Sequence, residues 1–109
     1  MVRKKPKLRR LVLDVLKPHS PPLPEFAMKL GSMPKVEGVN VTLVEIDKDT
    51  ETVKVTIDGE LEYEKINSMI EEWGGVIHSV DEVVAGRRPV REAPPPEPRR
   101  RIVRREGIE

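Results

Sequence analysis

The sequence predicts an α+β fold in which a four-stranded antiparallel sheet carries two helices on one face. Apolar residues alternate with their neighbours in four short stretches and recur at helical spacing in two others, in the order βαββαβ. The chain has 109 residues, of which 37% are hydrophobic, with one Trp, one Tyr and one Phe. A chain of this length and composition suits a single small domain without a large core.

The first strand and the first helix are separated by a proline-rich connection. Residues 8–16 are rich in branched residues, and apolar side chains occupy both alternating faces from Leu11 to Leu16, which predicts a strand in the middle of the sheet. The connection spans residues 17–24, and Ser20 is the predicted N-cap of a short helix over residues 25–30. Gly31 ends that helix.

A hairpin follows, because two alternating stretches, residues 38–47 and 53–58, flank the polar turn at residues 47–51. After Asp58–Gly59, residues 61–73 show the spacing of an amphipathic helix, and residues 76–84 form the fourth strand.

The order βαββαβ is the split βαβ pattern of ferredoxin-like folds. Right-handed crossovers then place both helices on one face of a two-layer sandwich with strand order 4-1-3-2. The other face stays uncovered and the second strand lies at an edge, which favours self-association of so small a domain. The predicted assembly edge comprises Val39, Val41, Thr42 and Leu43.

Charge is strongly segregated along the chain, although the formal net charge is only +1. Residues 1–10 carry six bases and no acid, residues 11–86 sum to −9, and residues 87–109 sum to +4. We therefore divide the chain into a basic arm at residues 1–7, a domain at residues 8–86 and an Arg- and Pro-rich arm at residues 87–109. The second arm holds five prolines and few apolar residues, so we expect it to be disordered or ordered only by a partner.

Such arms can bind either nucleic acid or acidic protein. Clustered Lys and Arg bind phosphates of RNA, a ribosomal surface included, in a salt-dependent manner. The same residues could instead lie on the acidic domains of neighbouring subunits, and we weigh these alternatives equally. Solvated arms without a partner are a third, slightly less favoured alternative. The candidate binding residues are Arg3, Lys4, Lys5, Lys7, Arg9, Arg10, Arg87, Arg88, Arg91, Arg99, Arg100, Arg101, Arg104 and Arg105.

A metal site is a weaker prediction. Asp14, His78, Asp81 and Glu82 fall on strands one and four, which are neighbours in the predicted sheet. A surface histidine without a ligand is the favoured interpretation, because no H-x-x-x-H spacing is present. If a cofactor binds, we expect a divalent cation, Ca²⁺ or Mg²⁺, held by the acidic body.

The sequence does not nominate an enzyme. Cysteine is absent, which excludes a thiolate nucleophile, and no serine lies in a nucleophile-elbow context. We expect a non-catalytic binding or assembly module, with RNA binding as the alternative and a metal- or ligand-sensing regulator as a weaker one. We also expect a cytoplasmic protein without a membrane segment, since no apolar run approaches about 18 residues.

Three strings, RRLVLDVLKPHSP, GVNVTLVEIDKDTETVKVTIDG and GGVIHSVDEVVAG, resemble the archaeal family known as domain of unknown function 211. The resemblance covers roughly residues 9–86. It implies a ferredoxin-like domain that forms ring-like homo-oligomers in a thermophilic or methanogenic archaeon, with no known enzymatic activity. A charged fraction of 36% and the absence of Gln agree with a thermophile. This chain departs from the family pattern at the prolines of residues 21–24, at residues 31–35 and in both arms.

Overall fold

The computed structural model describes residues 6–88, 90 and 91. The predicted α+β class, element order and sheet order are all confirmed. The sheet order β2-β3-β1-β4, with antiparallel neighbours, is the predicted order 4-1-3-2 taken from the opposite edge. The elements are β1 (Lys7–Pro18), α1 (Leu23–Gly31), β2 (Val36–Ile46), β3 (Thr50–Leu61), α2 (Tyr63–Glu72) and β4 (Val76–Gly86).

The core lies between one face of the sheet and the two helices. Alternate residues of β1 and β3 point towards the helices, and each helix contributes two buried side chains to the same cluster. Burial of these aliphatic groups away from water is the main favourable contribution to folding. The central members of the cluster are Leu11, Leu13, Val15, Val53, Val55, Ile57, Phe26, Leu30, Ile66 and Ile70.

The predicted N-cap of α1 is wrong. Pro22, not Ser20, occupies the N-cap position, and the Phe26 amide donates to the Pro22 carbonyl at 3.0 Å. No side chain caps the helix, and Pro24 lies in its first turn, where its missing N–H costs nothing. The helix therefore begins at Leu23 and presents Phe26 to the core.

The predicted end of the third strand at Asp58 is also wrong, because β3 continues through Gly59 to Leu61, which is buried. Gly59 has a φ of +147° and lies opposite Val36. A Cβ atom here would overlap the Lys35 carbonyl oxygen, which accepts a hydrogen bond from the Glu60 amide at 2.9 Å. Gly59 thus allows the start of β2 to approach β3 closely.

We predict that Gly59→Ala destabilises the protein by about 2 kcal/mol or more, because the new methyl group meets backbone and the φ suits glycine alone. Urea unfolding measures this loss. Gly38→Ala is the matched control, since a Cβ atom at Gly38 meets no atom within 4 Å. Equal stability of the two variants would contradict the close approach at Gly59.

The opposite face of the sheet carries no helix, and we call it the helix-free face. It is formed by Arg10, Val12, Asp14 and Leu16 of β1 and by the residues paired with them in β3 and β4. The register against β4 shifts three times, between Leu8 and Arg10, between Val12 and Leu13 and between Asp14 and Val15. The last two shifts make Asp81 and His78 extra residues in β4 with no partner position in β1.

Candidate functional site

The basic residues predicted to bind an acidic partner fall into two groups. Lys7, Arg9 and Arg10 lie in β1 and contact the domain itself: Lys7 Nζ is 3.5 Å from Glu60, and Arg9 Nε donates to the Gly86 carbonyl at 2.8 Å. Arg10 binds Asp58 with two hydrogen bonds, at 2.7 and 3.1 Å. Arg87, Arg88 and Arg91 are exposed beyond β4, and the remaining basic residues of both arms lie outside the described residues.

The predicted metal residues are close in the sheet but do not form a ligand set. Asp14 is paired with Ser79, whose hydroxyl donates to Asp81 at 2.7 Å, while His78 is exposed at a register shift. Glu82 lies opposite Val12. Among residues 6–88, 90 and 91, no group of three His, Asp or Glu residues could hold a metal ion.

The predicted assembly edge is at the edge of the sheet, since β2 pairs only with β3 among the described strands. Val39 and Val41 are half-buried against the core, whereas Thr42 and Leu43 are exposed. The most exposed aliphatic side chains of this edge are Val44 and Ile46, at 61% and 59%. Both lie just beyond the predicted set, towards the hairpin turn.

The other edge of the sheet also exposes aliphatic side chains. In β4, Val76, Val80 and Val83 are 59%, 43% and 54% exposed. Isolated exposed apolar residues are normal on a protein surface. Here, however, two groups of them lie at opposite edges of one sheet, and such groups are typical of interaction sites.

One polar cluster, formed by Lys17, His19 and Glu51, was missed from the sequence. The Lys17 side chain has no exposed surface, although a lysine is rarely buried without a partner. Its ammonium group donates to the Pro18 and Pro21 carbonyls at 2.7 and 2.6 Å and to Glu51 Oε1 at 3.2 Å. It also lies 5.5 Å from the centre of the Phe26 ring.

Glu51 and His19 extend this cluster to the surface. The second oxygen of Glu51, Oε2, is 3.3 Å from His19 Nδ1, and His19 Nε2 is 2.9 Å from the Lys48 carbonyl oxygen. Glu51 is the second residue of β3 and Lys48 lies in the hairpin turn, whereas Lys17 lies at the end of β1 and His19 follows that strand. The cluster therefore fastens the β1–α1 connection to the β2–β3 hairpin.

The contacts shift the pKa values of two members in opposite directions. The hydrogen bond to the Lys48 carbonyl, and then the one to Glu51, raise the pKa of His19 above its ordinary value of 6.5. Burial raises the pKa of Glu51, but the hydrogen bonds from His19 and Lys17 and their charges outweigh it, so that this pKa lies below its ordinary value of 4.5.

These shifts predict a window of maximal stability. The His19 contribution is complete below pH 6.5 and is lost as the pH rises through the raised pKa of the folded protein. The Glu51 contribution is complete above pH 4.5 and is lost as the pH falls through its lowered pKa. The cluster therefore stabilises the fold most between these two values.

We predict that His19→Ala lowers the free energy of unfolding more at about pH 5.5 than at about pH 8.5, because the imidazolium interactions vanish on deprotonation. Urea unfolding at both pH values measures the difference. His78→Ala is the control, since it removes the other imidazole without touching the cluster. An equal effect of His19→Ala at the two pH values would contradict a contribution from the charged imidazole.

The cluster is suited to support the fold rather than to perform chemistry. The Lys17 ammonium is enclosed and already donates to three oxygen atoms, so it has no further donor for a ligand. A cavity of about 200 Å³ lies elsewhere, beside the helix-free face, and is lined by residues that include Arg9, Arg10, Asp58, Val84 and Val90. The bidentate pair of Arg10 and Asp58 forms one of its walls.

A sequence profile of the family DUF211, described as Uncharacterized ArCR, matches residues 9–98. The chain belongs to the DUF211 family. This confirms the resemblance carried by the three sequence strings in β1, β2–β3 and β4. The profile matches all four strands and both helices and continues beyond β4.

An archaeal relative supports the same membership of DUF211. This is Uncharacterized protein MJ0319 of Methanocaldococcus jannaschii, which is 52% identical over 93 residues, covering 84% of this chain and 96% of the relative. Neither the family description nor this relative's name states an activity. Among the described residues, neither helix of this DUF211 protein has the length and apolarity needed to cross a membrane.

Proposed function

We propose that this DUF211 protein is a non-catalytic, ferredoxin-like subunit that associates head to tail, through the two edges of its sheet, into a closed ring. The ring would act as a binding or assembly module. The observation that carries the proposal is the pair of exposed aliphatic groups at opposite edges: Leu43, Val44 and Ile46 on β2 and Val80 and Val83 on β4.

The placement of these groups favours a ring over a simple dimer. When two different surfaces of one subunit are complementary, each copy binds the next in the same sense, and a closed ring results if the rotation closes. Contact between β2 of one copy and β4 of the next would bury both groups. The two exposed groups lie on separate strands at the two ends of the order β2-β3-β1-β4, as this arrangement requires.

A non-catalytic role is supported by the cluster of Lys17, His19 and Glu51, whose polar groups are engaged in contacts within the fold. The cluster with shifted pKa values, which would otherwise be the first candidate for catalysis, is used to hold two loops together. Its lysine is buried and saturated with acceptors.

The native mass of the full chain tests the ring. Light scattering after gel filtration should give a closed multiple of the 12.4 kDa chain, at least three copies, that is stable to dilution. A mass of one chain at micromolar concentration would overturn the proposal. A dimer would indicate that one edge binds itself rather than the other.

Nucleic-acid binding through the arms is a second candidate, favoured by the +4 charge of residues 87–109. Because Arg9 and Arg10 contact the domain, the arginines beyond β4 would carry the phosphate contacts. Replacing Arg99, Arg100 and Arg101 with Ser should reduce the slope of log affinity for double-stranded RNA against log salt by about 2 to 3. An unchanged slope would exclude this tract as the contact.

A further inference from the structure

The chain beyond β4 passes onto the helix-free face. Gly86 ends β4 with a φ of +131°, and its carbonyl accepts a hydrogen bond from Arg9 Nε at 2.8 Å. Val90 then lines the 200 Å³ cavity together with Arg10 and Val84. Arg10 and Val84 are cross-strand partners on the helix-free face, so the exit of the chain is directed over this face and away from the helices.

The helix-free face has the charge and the apolar surface to receive that segment. Asp14 and Glu82 lie on it in adjacent strands, opposite Ser79 and Val12, respectively, and Lys54 of β3 is the other cross-strand partner of Asp14. Beyond them, Leu16 and Val76 are paired with each other and are 40% and 59% exposed. The face therefore offers two carboxylates followed by an apolar pair as it runs from the Arg10 end towards Pro18.

Residues 92–109 carry basic residues followed by apolar ones, an order that matches the carboxylates and the apolar pair of the helix-free face. The basic run Arg99–Arg101 is followed directly by Ile102 and Val103. Arg99 lies eight positions after Arg91, and an extended or polyproline segment of that length spans about 25 Å. Leu16 lies six strand positions after Arg10, a distance of about 20 Å, so the segment is long enough to cross the face.

We propose that residues 92–109 lie across the helix-free face of their own subunit. Arg99–Arg101 pair with Asp14 and Glu82, and Ile102–Val103 cover Leu16 and Val76. The arm then covers the exposed sheet face of its own subunit. A polyanion must therefore compete with carboxylates of the same chain for these arginines.

Disulfide trapping in the full chain tests this placement, because the protein contains no native cysteine. One variant carries Ile102→Cys with Thr52→Cys, since Thr52 is the β3 partner of Leu16 on the helix-free face. The control carries Ile102→Cys with Ser68→Cys, which is exposed on α2 on the opposite side of the sheet. Formation of the intramolecular disulfide is followed on non-reducing gels under a glutathione buffer.

We expect the Thr52 pair to form at least tenfold faster than the Ser68 pair, and this preference to fall in high salt as the charge pairs are screened. Ser79→Cys, opposite Asp14, repeats the test at a second position in case Thr52→Cys disturbs folding. Equal rates for the two faces would overturn the proposal. Efficient cross-linking between separately prepared Thr52→Cys and Ile102→Cys proteins would overturn it too, because it would place the arm on a neighbouring copy.

Discussion

Replacement of Glu51 by Ala should destabilise the protein by about 3 kcal/mol, because it leaves the enclosed Lys17 ammonium without its counter-charge. The Lys17 side chain has no exposed surface and Glu51 is 12% exposed, so water can replace the lost carboxylate only in part. Two carbonyl oxygens still accept from Lys17, which keeps the expected loss at the lower end for a broken buried pair. For a domain of this size, the loss corresponds to a fall in Tm of roughly 15 °C.

A double-mutant cycle separates the charge from the packing. Lys17→Met with Glu51→Leu removes both charges and fills the space with apolar groups, and replacements of this kind are often neutral or stabilising. We expect the double variant to recover most of the stability that Glu51→Ala loses, as measured by urea unfolding. A loss below about 1 kcal/mol for Glu51→Ala would show that Lys17 does not depend on the carboxylate. If Glu51→Ala does not fold, a folded double variant still shows that the loss comes from the unpaired charge of Lys17.

Replacement of Val44 and Ile46 by Lys should abolish assembly and yield a folded single chain of about 12.4 kDa. Both side chains are exposed in the isolated subunit, at 61% and 59%, so the changes cost the monomer little. In the proposed contact, each introduced ammonium would be buried without a partner, at a cost that exceeds what the contact contributes. Met28→Lys, at a 76% exposed site on α1, is the control that should keep the native mass.

The same logic at the other edge distinguishes head-to-tail contact from self-pairing of one edge. Val80→Lys with Val83→Lys damages β4 and leaves β2 intact. If the contact is head to tail, each double variant alone is a single chain, and a mixture of the two forms a heterodimer through the two intact edges. If β2 instead pairs with β2, the β4 variant keeps its full mass, which contradicts the ring.

The core of this protein could be predicted from its sequence because the responsible signal is local. Alternation of Leu11, Leu13 and Val15 fixes which face of β1 is buried, and the spacing of Ile66, Met69 and Ile70 fixes the buried side of α2. The order of elements then leaves few topologies, since crossovers have one hand. These are short-range patterns, and the structure confirms them.

Lys17 was missed because its surroundings come from distant parts of the chain. It continues the buried alternation of Leu13 and Val15, which was the available signal, but a lysine in that position is normally taken as the end of the core. Its partners are Pro21, four residues away, and Glu51, 34 residues away. Only the folded sheet brings them together.

The end of β3 and the position of the exposed group on β2 were mispredicted for a similar reason. Asp58–Gly59 has the composition of a turn, yet Gly59 is needed because the backbone at Lys35 approaches it, and that approach is a tertiary contact. The most exposed aliphatic side chains of β2 are Val44 and Ile46, which lie beyond the predicted edge residues. The register against β3 shifts between Leu43 and Glu45, and this shift cannot be read from alternation alone.

The two extra residues in β4 have a consequence for how the protein behaves at high concentration. Each one interrupts the regular spacing of backbone donors and acceptors along the outer side of the strand. A strand added to this edge could satisfy only short stretches of it, so the proposed contact with β2 of the next copy would rest on aliphatic side chains, and the edge is a poor template for a continuous cross-β fibre. We therefore expect His78 and Asp81, two of the residues predicted as metal ligands, to limit aggregation, so that deletion of either should make the chain more prone to form fibrils.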